Sequence, residues 1–212
     1  MPKVYVAGKF EEAPLIRDIQ ELFCRRGWTI TCDWTVDKPT EELDKLKSCA
    51  QRDYEGVETA DLLVFFAANK LPYRGAFVEL GIALGKNIPT AIIGHGIDSC
   101  IFCNLPDVVK FDTVAQLMES KYLEAFEYVE KRFADIGKEV VRQEDFAHAP
   151  EVTRLCYGRC FSELQENARR MQRSEDQSER IFGGYISLLA FIKGRSYGEP
   201  YPQRSKAKKR VH

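Results

Sequence analysis

The sequence has no excess of charge of either sign. Its 212 residues include 31 lysines and arginines against 32 aspartates and glutamates, which gives a formal net charge of -1. Proteins that bind nucleic acid usually carry a basic surplus, so we expect no nucleic-acid partner. A local basic run lies at residues 204–212. We interpret it as a solvated tail, with weak nucleic-acid contact or a targeting signal as the alternatives.

Long apolar runs are also missing. No stretch approaches the roughly 20 apolar residues that cross a bilayer, and residues 1–6 enter a strand pattern without a cleavable signal. We therefore expect a cytoplasmic protein with no membrane partner. The seven cysteines are odd in number and lie mostly in apolar or helical patterns, as in proteins of a reduced compartment. Neither of the close cysteine pairs, 100/103 and 156/160, has a turn-rich knuckle, so we predict no structural zinc. We also predict no other metal and no cofactor, because carboxyl groups and bound water suffice for the chemistry that we expect.

Strand-like and helix-like patterns alternate along the first two thirds of the chain. The predicted strands are residues 3–7, 28–34, 61–66, 88–93 and 108–111, and the predicted helices are 11–26, 41–59, 75–85 and 113–134. Right-handed crossovers between such strands give a parallel sheet with helices on both faces. The sequence therefore predicts a doubly wound α/β fold, Rossmann-like or flavodoxin-like, with a five-stranded parallel sheet.

The pattern changes after residue 136. Residues 151–173 and 179–193 are predicted helices with no further strand. We predict an α/β domain at 1–136, a helical extension at 137–203 and the basic tail at 204–212. The pattern leaves open whether the extension packs on its own α/β domain or on a second subunit.

In doubly wound folds, ligands bind beyond the carboxyl ends of the strands. The residues at those ends that we predict to bind substrate are Gly8, Lys9, Phe10, Asp33, Trp34, Tyr73, Arg74 and Gly75. The turn at Gly8 is a natural place for an anion or a ribose to meet a helix N-terminus, although no GxGxxG motif follows it. An aromatic such as Trp34 either stacks on a ligand ring or forms the edge of the core.

Three further residues are candidates for chemistry. Glu79 lies near the start of a predicted helix, where the helix dipole favours an ionised carboxylate. Position alone leaves it open whether Glu79 only complements the helix terminus or acts as a nucleophile at a sugar carbon. Asp53 lies near the end of a helix, where carboxylates are normally solvated. Tyr5 lies within the first strand, where its hydroxyl needs a polar partner if it is buried.

Three segments together resemble the nucleoside 2-deoxyribosyltransferase-like superfamily in sequence, order and spacing. They are VYVAG at residues 4–8, RDYEGVETAD at 52–61 and FVELGIALGK at 77–86. The later segment IFCNLPDVVKFD at 101–112 is similar to the one that precedes the last strand in many members. The resemblance covers roughly residues 3–134, and residues 137–212 have no counterpart in it.

This resemblance implies cleavage of an N-glycosidic bond through a covalent intermediate. Glu79, in the ELG motif, would attack the sugar C1′. Asp53 would orient that carboxylate or handle the proton at the leaving base, and Tyr5 would hold the nucleophile. The resemblance also implies a small-molecule nucleoside or nucleotide substrate and a homodimer or higher homo-oligomer.

Two positions depart from the transferase pattern. Tyr73 stands where the transferases carry an aspartate, and Cys100 aligns with an asparagine from a neighbouring subunit, with Asn104 close behind as a substitute.

The related 2′-deoxynucleoside 5′-monophosphate N-glycosidases also lack the aspartate, and they bind a phosphate near the first turn. Lys9 and Arg74 could bind that phosphate here, although each is as readily a plain surface charge. Three hypotheses follow: a nucleoside 2-deoxyribosyltransferase, a nucleoside 5′-monophosphate N-glycosidase acting as a hydrolase, and a non-catalytic nucleotide-binding or sensing module.

Overall fold

A computed structural model describes residues 1–68, 73–143 and 149–196 of the chain. Five parallel strands form one sheet in the order β2-β1-β3-β4-β5. The strands are β1 (Lys3–Ala7), β2 (Thr29–Ile30), β3 (Leu62–Phe66), β4 (Thr90–Ile93) and β5 (Val108–Phe111). The helices are α1 (Ala13–Arg25), α2 (Leu43–Glu58), α3 (Arg74–Gly85), α4 (Val114–Met118), α5 (Lys121–Gln143), α6 (Ala149–Gln172) and α7 (Gln177–Ser196). Helices lie on both sides of the sheet, which confirms the predicted doubly wound fold.

The central strands are buried because helices cover both faces of the sheet. All five residues of β3 are buried, which explains why its sequence is a continuous apolar run and not an alternating one. β1 lies between β2 and β3, and Tyr5 of β1 is in register with Leu63 of β3. Tyr5 therefore lies on an interior strand of the sheet, next to the central strand β3.

The second strand is much shorter than the predicted span of residues 28–34. Only Thr29–Ile30 pairs with β1. The chain then turns into a short 3-10 segment, Trp34–Val36, in which the Asp33 carboxylate accepts hydrogen bonds from the Thr35 amide at 3.1 Å and the Thr35 hydroxyl at 2.5 Å. Such local side-chain bonds offer the backbone an alternative to the sheet ladder, and at this edge of the sheet they end the strand.

The predicted helix at 113–134 is two helices in the structure. α4 ends at Met118 and α5 begins at Lys121. Ser120 lies at the break: its hydroxyl donates to the Leu117 carbonyl at 2.6 Å and accepts from the Leu123 amide at 3.3 Å. This bonding satisfies backbone groups at both helix ends and so stabilises the interruption.

The C-terminal helices pack on the α/β domain of their own chain. α6 and α7 contact each other and α5, and the predicted boundary at residues 136/137 falls inside α5. The rings of Tyr122 in α5 and Tyr185 in α7 have centroids 5.4 Å apart, and Tyr122 also contacts Phe111 of β5. The apolar core therefore continues from the sheet into the helical extension.

The remaining expectations from the sequence concern membrane spans and the basic tail. No helix within the described ranges is both long and apolar enough to span a membrane. The predicted basic tail, residues 204–212, lies outside the described residues.

Gly183 allows close contact between α6 and α7. A β-carbon at this position would lie 2.7 Å from Met171 Cβ and 2.9 Å from the Ala168 carbonyl oxygen, whereas the neighbouring Gly184 faces open space. We expect Gly183→Ala to lower the free energy of unfolding by about 1–3 kcal/mol because the two helices must move apart. Gly184→Ala should raise it by up to about 1 kcal/mol through helix propensity. Urea denaturation measures both, and similar effects in the two variants would contradict this packing.

Candidate active site

A pocket of about 640 Å³ lies where the carboxyl ends of β1, β2 and β3 meet. The strand order 2-1-3-4-5 places a topological switch point between β1 and β3, where the connections leave in opposite directions and open a crevice. Segments from this crevice line the pocket: residues 8–11 after β1, residues 34 and 37–40 before α2, three positions of α2, and residues 73–76 and 79. The pocket is therefore where the fold predicts a ligand site.

Nine of the predicted site residues line this pocket. They are Gly8, Lys9, Phe10, Trp34, Asp53, Tyr73, Arg74, Gly75 and Glu79. Tyr5 lies beneath the pocket and contacts Glu79. Asp33 and Asn104 do not line it.

Glu79 and Tyr5 form the central contact of the site. Tyr5 is fully buried in β1, and its hydroxyl donates a hydrogen bond to Glu79 Oε1 at 2.7 Å. The other carboxyl oxygen, Oε2, is buried and has no hydrogen-bond partner among the described residues. A buried acceptor without a partner is costly, so this oxygen is the one that a ligand at the pocket would satisfy.

The environment of Glu79 changes both interpretations of this residue. It is the sixth residue of α3, in the second turn, where the effect of the helix dipole has fallen off. Burial raises the pKa of Glu79 to about 7; the Tyr5 hydrogen bond opposes the rise and the charge of Asp53 adds to it. The ionisation of Glu79 is therefore governed by burial, Tyr5 and Asp53, and not by the helix end as the sequence pattern suggested. The burial of the carboxyl also excludes the interpretation of a surface residue at the helix terminus.

Asp53 is half-buried, not solvated as the sequence pattern suggested. It lies on α2, and Cys32 Sγ donates a hydrogen bond to its Oδ1 at 3.4 Å. Burial raises the pKa of Asp53, while the Cys32 hydrogen bond and the charge of Arg52 lower it. α2 can come this close to the sheet because Gly56 has no side chain. A β-carbon on Gly56 would lie 2.6 Å from Cys32 Cβ and 3.1 Å from the Tyr5 ring.

Tyr73 belongs to the core beneath the pocket. It is 1% exposed, its hydroxyl donates to Glu12 Oε1 at 3.3 Å, and its ring centroid lies 5.4 Å from that of Phe65. The Lys9 ammonium lies over the same ring, 4.3 Å from its centroid, in a cation–π contact. The residue that departs from the transferase pattern thus supports the wall of the pocket.

The turn residues Gly8, Gly75 and Arg74 differ in their surroundings. A β-carbon on Gly8 would lie 2.6 Å from Ile16 Cδ1, so a glycine lets α1 pack closely against the end of β1. At Gly75 and Gly81, apart from the chain neighbours and the backbone of the helix itself, no atom of the described residues lies within 4 Å of the corresponding position. Arg74 and Gly75 are exposed at the entrance of the pocket.

Trp34, Asp33 and Asn104 have local partners. The Trp34 indole N–H donates to the Val6 carbonyl at 2.8 Å while the side chain lines the pocket, so this residue combines the core-edge position with access to a ligand. The Asp33 carboxylate accepts hydrogen bonds from the amide and the hydroxyl of Thr35. The Asn104 amide donates to the Cys100 carbonyl at 3.0 Å and its oxygen accepts from Lys110 at 2.9 Å, in a loop away from this pocket.

Sequence reasoning missed one wall of the pocket and the partner of Asp53. The missed wall consists of Asp37, Lys38, Pro39, Thr40, Leu46 and Cys49. The polar, proline-containing stretch between a strand and a helix was the available signal for it. Cys32 directly precedes a predicted site residue, but nothing in the sequence shows that it contacts α2. In the part of the chain that the structure describes, no cluster of three or more His, Cys, Asp or Glu side chains is arranged to hold a metal ion.

The fold and site define a doubly wound α/β protein with a pair of carboxyl groups at its switch point. Comparison of the sequence with models of protein families finds no match, and comparison with curated proteins finds no relative.

Substitution of Glu79 should reveal the cost of its burial. Because burial raises the pKa of Glu79 from 4.5 to about 7, folding disfavours its ionised form, and stability is lost as the pH rises between these values. We expect Glu79→Gln to be more stable than the native chain at pH 8, by up to about 3 kcal/mol, and to gain much less at pH 4.5. Urea denaturation at both pH values tests this. The exposed Glu41→Gln is the control, and an equal gain for Glu79→Gln at both pH values would contradict the expectation.

Proposed function

We propose that this protein cleaves the N-glycosidic bond of a nucleoside or deoxynucleoside, most simply as a nucleoside 2-deoxyribosyltransferase, with Glu79 as the nucleophile. The observation that carries the proposal is the state of the Glu79 carboxyl. The Tyr5 hydroxyl lies 2.7 Å from one oxygen, and the other oxygen is a buried atom that has no hydrogen-bond partner among the residues the structure describes. The resemblance of three segments to the nucleoside 2-deoxyribosyltransferase-like superfamily supports the same role.

The proposed reaction has two displacements at the sugar C1′. In the first, Glu79 Oε2 forms a bond to C1′ while the bond from C1′ to the base nitrogen breaks. The bonding electron pair leaves with the base, which takes up a proton from Asp53. In the second, an N–H nitrogen of another base or a water molecule attacks C1′, the bond from C1′ to Glu79 Oε2 breaks, and Asp53 takes the proton of the attacking group. Transfer and hydrolysis therefore share the first step and differ in the acceptor.

The surroundings of Glu79 suit these steps. A pKa of about 7 in the free protein means that ionisation is balanced near neutral pH, and positive charge developing on the sugar would favour the anion. Asp53 also lines the pocket, and burial raises its pKa, which suits a group that exchanges a proton with the base. Tyr5 orients the nucleophile by its hydrogen bond.

The pocket has the size and the side chains for a nucleoside. Its volume of about 640 Å³ is in the range of small-molecule sites. Trp34 and Phe10 offer aromatic surface for a base. Lys9 and Arg74 lie in the lining too, and this basic pair favours a second candidate, hydrolysis of a nucleoside 5′-monophosphate. Tyr73 stands where the transferases carry an aspartate, and it adds to the support for this candidate because the monophosphate N-glycosidases lack the same aspartate.

A base-exchange assay separates the candidate functions. The protein is incubated with a deoxynucleoside or its 5′-monophosphate, with and without a free acceptor base, and base release and exchange are followed by chromatography. We expect turnover; transfer requires the acceptor, and hydrolysis does not. Glu79→Gln should lower turnover by at least about 1000-fold because it removes the nucleophile. Retained turnover would sink the mechanism, and binding without turnover would support a nucleotide-sensing module.

The Tyr5→Phe variant is the matched test of the Glu79 environment. It removes the hydrogen bond that lowers the pKa of Glu79 and keeps the ring in the core. The pH below which turnover declines should therefore move upward, so that the variant loses more activity at pH 6 than at pH 8. An unchanged pH profile would contradict the proposed role of Tyr5.

The proposal also extends to assembly and location. The resemblance implies sites completed across subunits, so we propose a homodimer or a higher homo-oligomer. We place the protein in the cytoplasm, where its free thiols would stay reduced. Light scattering should give at least twice the mass of one chain, and an active monomer would contradict the proposed assembly.

A further inference from the structure

Cys32 connects Asp53 to the sheet beneath the pocket. It follows β2, is 6% exposed and donates a hydrogen bond from Sγ to Asp53 Oδ1 at 3.4 Å. Asp53 comes from a different element, α2, and lines the pocket. The thiol thus links a buried residue that follows the edge strand β2 to a carboxyl group of the candidate site.

We propose that Cys32 is a positioning residue, whose thiol holds Oδ1 of Asp53 so that the second carboxyl oxygen is presented to the ligand beside Glu79. The inference rests on the proposed function for its effect on turnover. The placement of Asp53 by Cys32 can be tested without turnover.

The thiol is held in its protonated form. Burial and the hydrogen bond to Asp53 raise the pKa of Cys32 to about 12, and the charge of Arg52 opposes this rise. At neutral pH Cys32 is therefore an S–H donor and not a thiolate. A thiolate would repel the carboxylate, whereas the thiol can donate only one hydrogen bond, which Asp53 receives.

The packing around Cys32 fixes the distance over which it acts. Gly56 lies one turn after Asp53 on α2, and a β-carbon there would lie 2.6 Å from Cys32 Cβ. The helix therefore rests directly on the cysteine side chain. Because Gly56 has no side chain, α2 lies close enough for the short thiol side chain of Cys32 to reach Asp53.

Charged groups on several elements face this contact. Arg52, on the same helix as Asp53, forms an ion pair with Asp37, and both charges act on Asp53. Tyr5 on the sheet and Glu79 on α3 also face Asp53, whose charge raises the pKa of both. A change at Cys32 should therefore alter the titration of Asp53 first and that of Glu79 through it.

Carbon-13 NMR titration of the side-chain carboxyls in the full chain tests the placement. The Asp53 signal is assigned by its loss in Asp53→Asn. Because the Cys32 hydrogen bond lowers the pKa of Asp53, its titration midpoint should move to higher pH in Cys32→Ala. Cys32→Ser, which keeps a donor, should leave the midpoint near that of the native chain or lower it. The control is Cys103→Ala, which removes another buried thiol outside the pocket and should have no effect.

Turnover then tests the consequence for the proposed reaction. We expect Cys32→Ala to lower kcat about tenfold with KM changed less than twofold, and Asp53→Asn to lower kcat about 100-fold or more. In the Asp53→Asn background, Cys32→Ala should cause no further loss, because its effect acts through Asp53.

The outcomes are distinguishable from one another. An Asp53 midpoint that stays the same in Cys32→Ala, or that rises in Cys32→Ser, overturns the inference. Losses that multiply in the double variant also overturn it, since they would show a packing effect alone. If the native chain releases no base, the proposed function fails and the NMR titration alone decides the role of Cys32. If Cys32→Ala does not fold, the direction of the Cys32→Ser midpoint decides it.

Discussion

The hydrogen bond between Tyr5 and Glu79 joins β1, an interior strand of the sheet, to α3, the helix that follows the neighbouring strand β3. Its length of 2.7 Å requires β1 and α3 to keep a fixed separation. That separation depends on the parallel register of β1 with β3 and on the buried residues of α3. The same tyrosine ring contacts α2 at Gly56, so one side chain sets the position of both helices that carry a carboxyl group of the site.

The burial of the Glu79 carboxyl lowers the stability of the fold and at the same time gives the candidate site its reactive group. A carboxyl group placed on the surface of α3 would retain its ordinary acidity and its hydration. Burial raises the pKa of Glu79 to about 7 and leaves one oxygen without a hydrogen-bond partner in the described part of the chain. Folding tolerates this because the core is continuous from the sheet into α5, α6 and α7, which supplies apolar contacts far from the pocket. A buried carboxyl with a raised pKa, supported by packing elsewhere, is frequent at functional centres.

The sequence was sufficient to predict the fold because its signals are local. The apolar run of β3 and the helical spacing of α1 and α3 depend only on neighbouring residues, and the parallel order follows from their alternation. Placement of most candidate residues at the pocket followed from the rule that ligands bind beyond the strand ends. The length of β2 and the break at Ser120 were not predicted, because single side-chain hydrogen bonds decide them.

What the sequence could not reveal depends on contacts between distant segments. The partner of Asp53 is 21 positions away and that of Tyr5 is 74 positions away. The pKa of Glu79 depends on burial by several elements at once, and no local pattern contains that information. Asp33 was a reasonable candidate from its position after a strand, yet its carboxylate is used to shape the turn.

The burial of Tyr73 limits how the pocket can diversify. Its ring packs against Phe65 and lies under the Lys9 ammonium, and its hydroxyl reaches Glu12. An exchange of this tyrosine for a small acidic residue would need compensating changes in the core. Lys38 and Pro39 also line the pocket, but they are exposed at its rim, so their exchange would not disturb the core. Changes in ligand preference during evolution, or in the laboratory, are therefore more accessible through this rim than through the position of Tyr73.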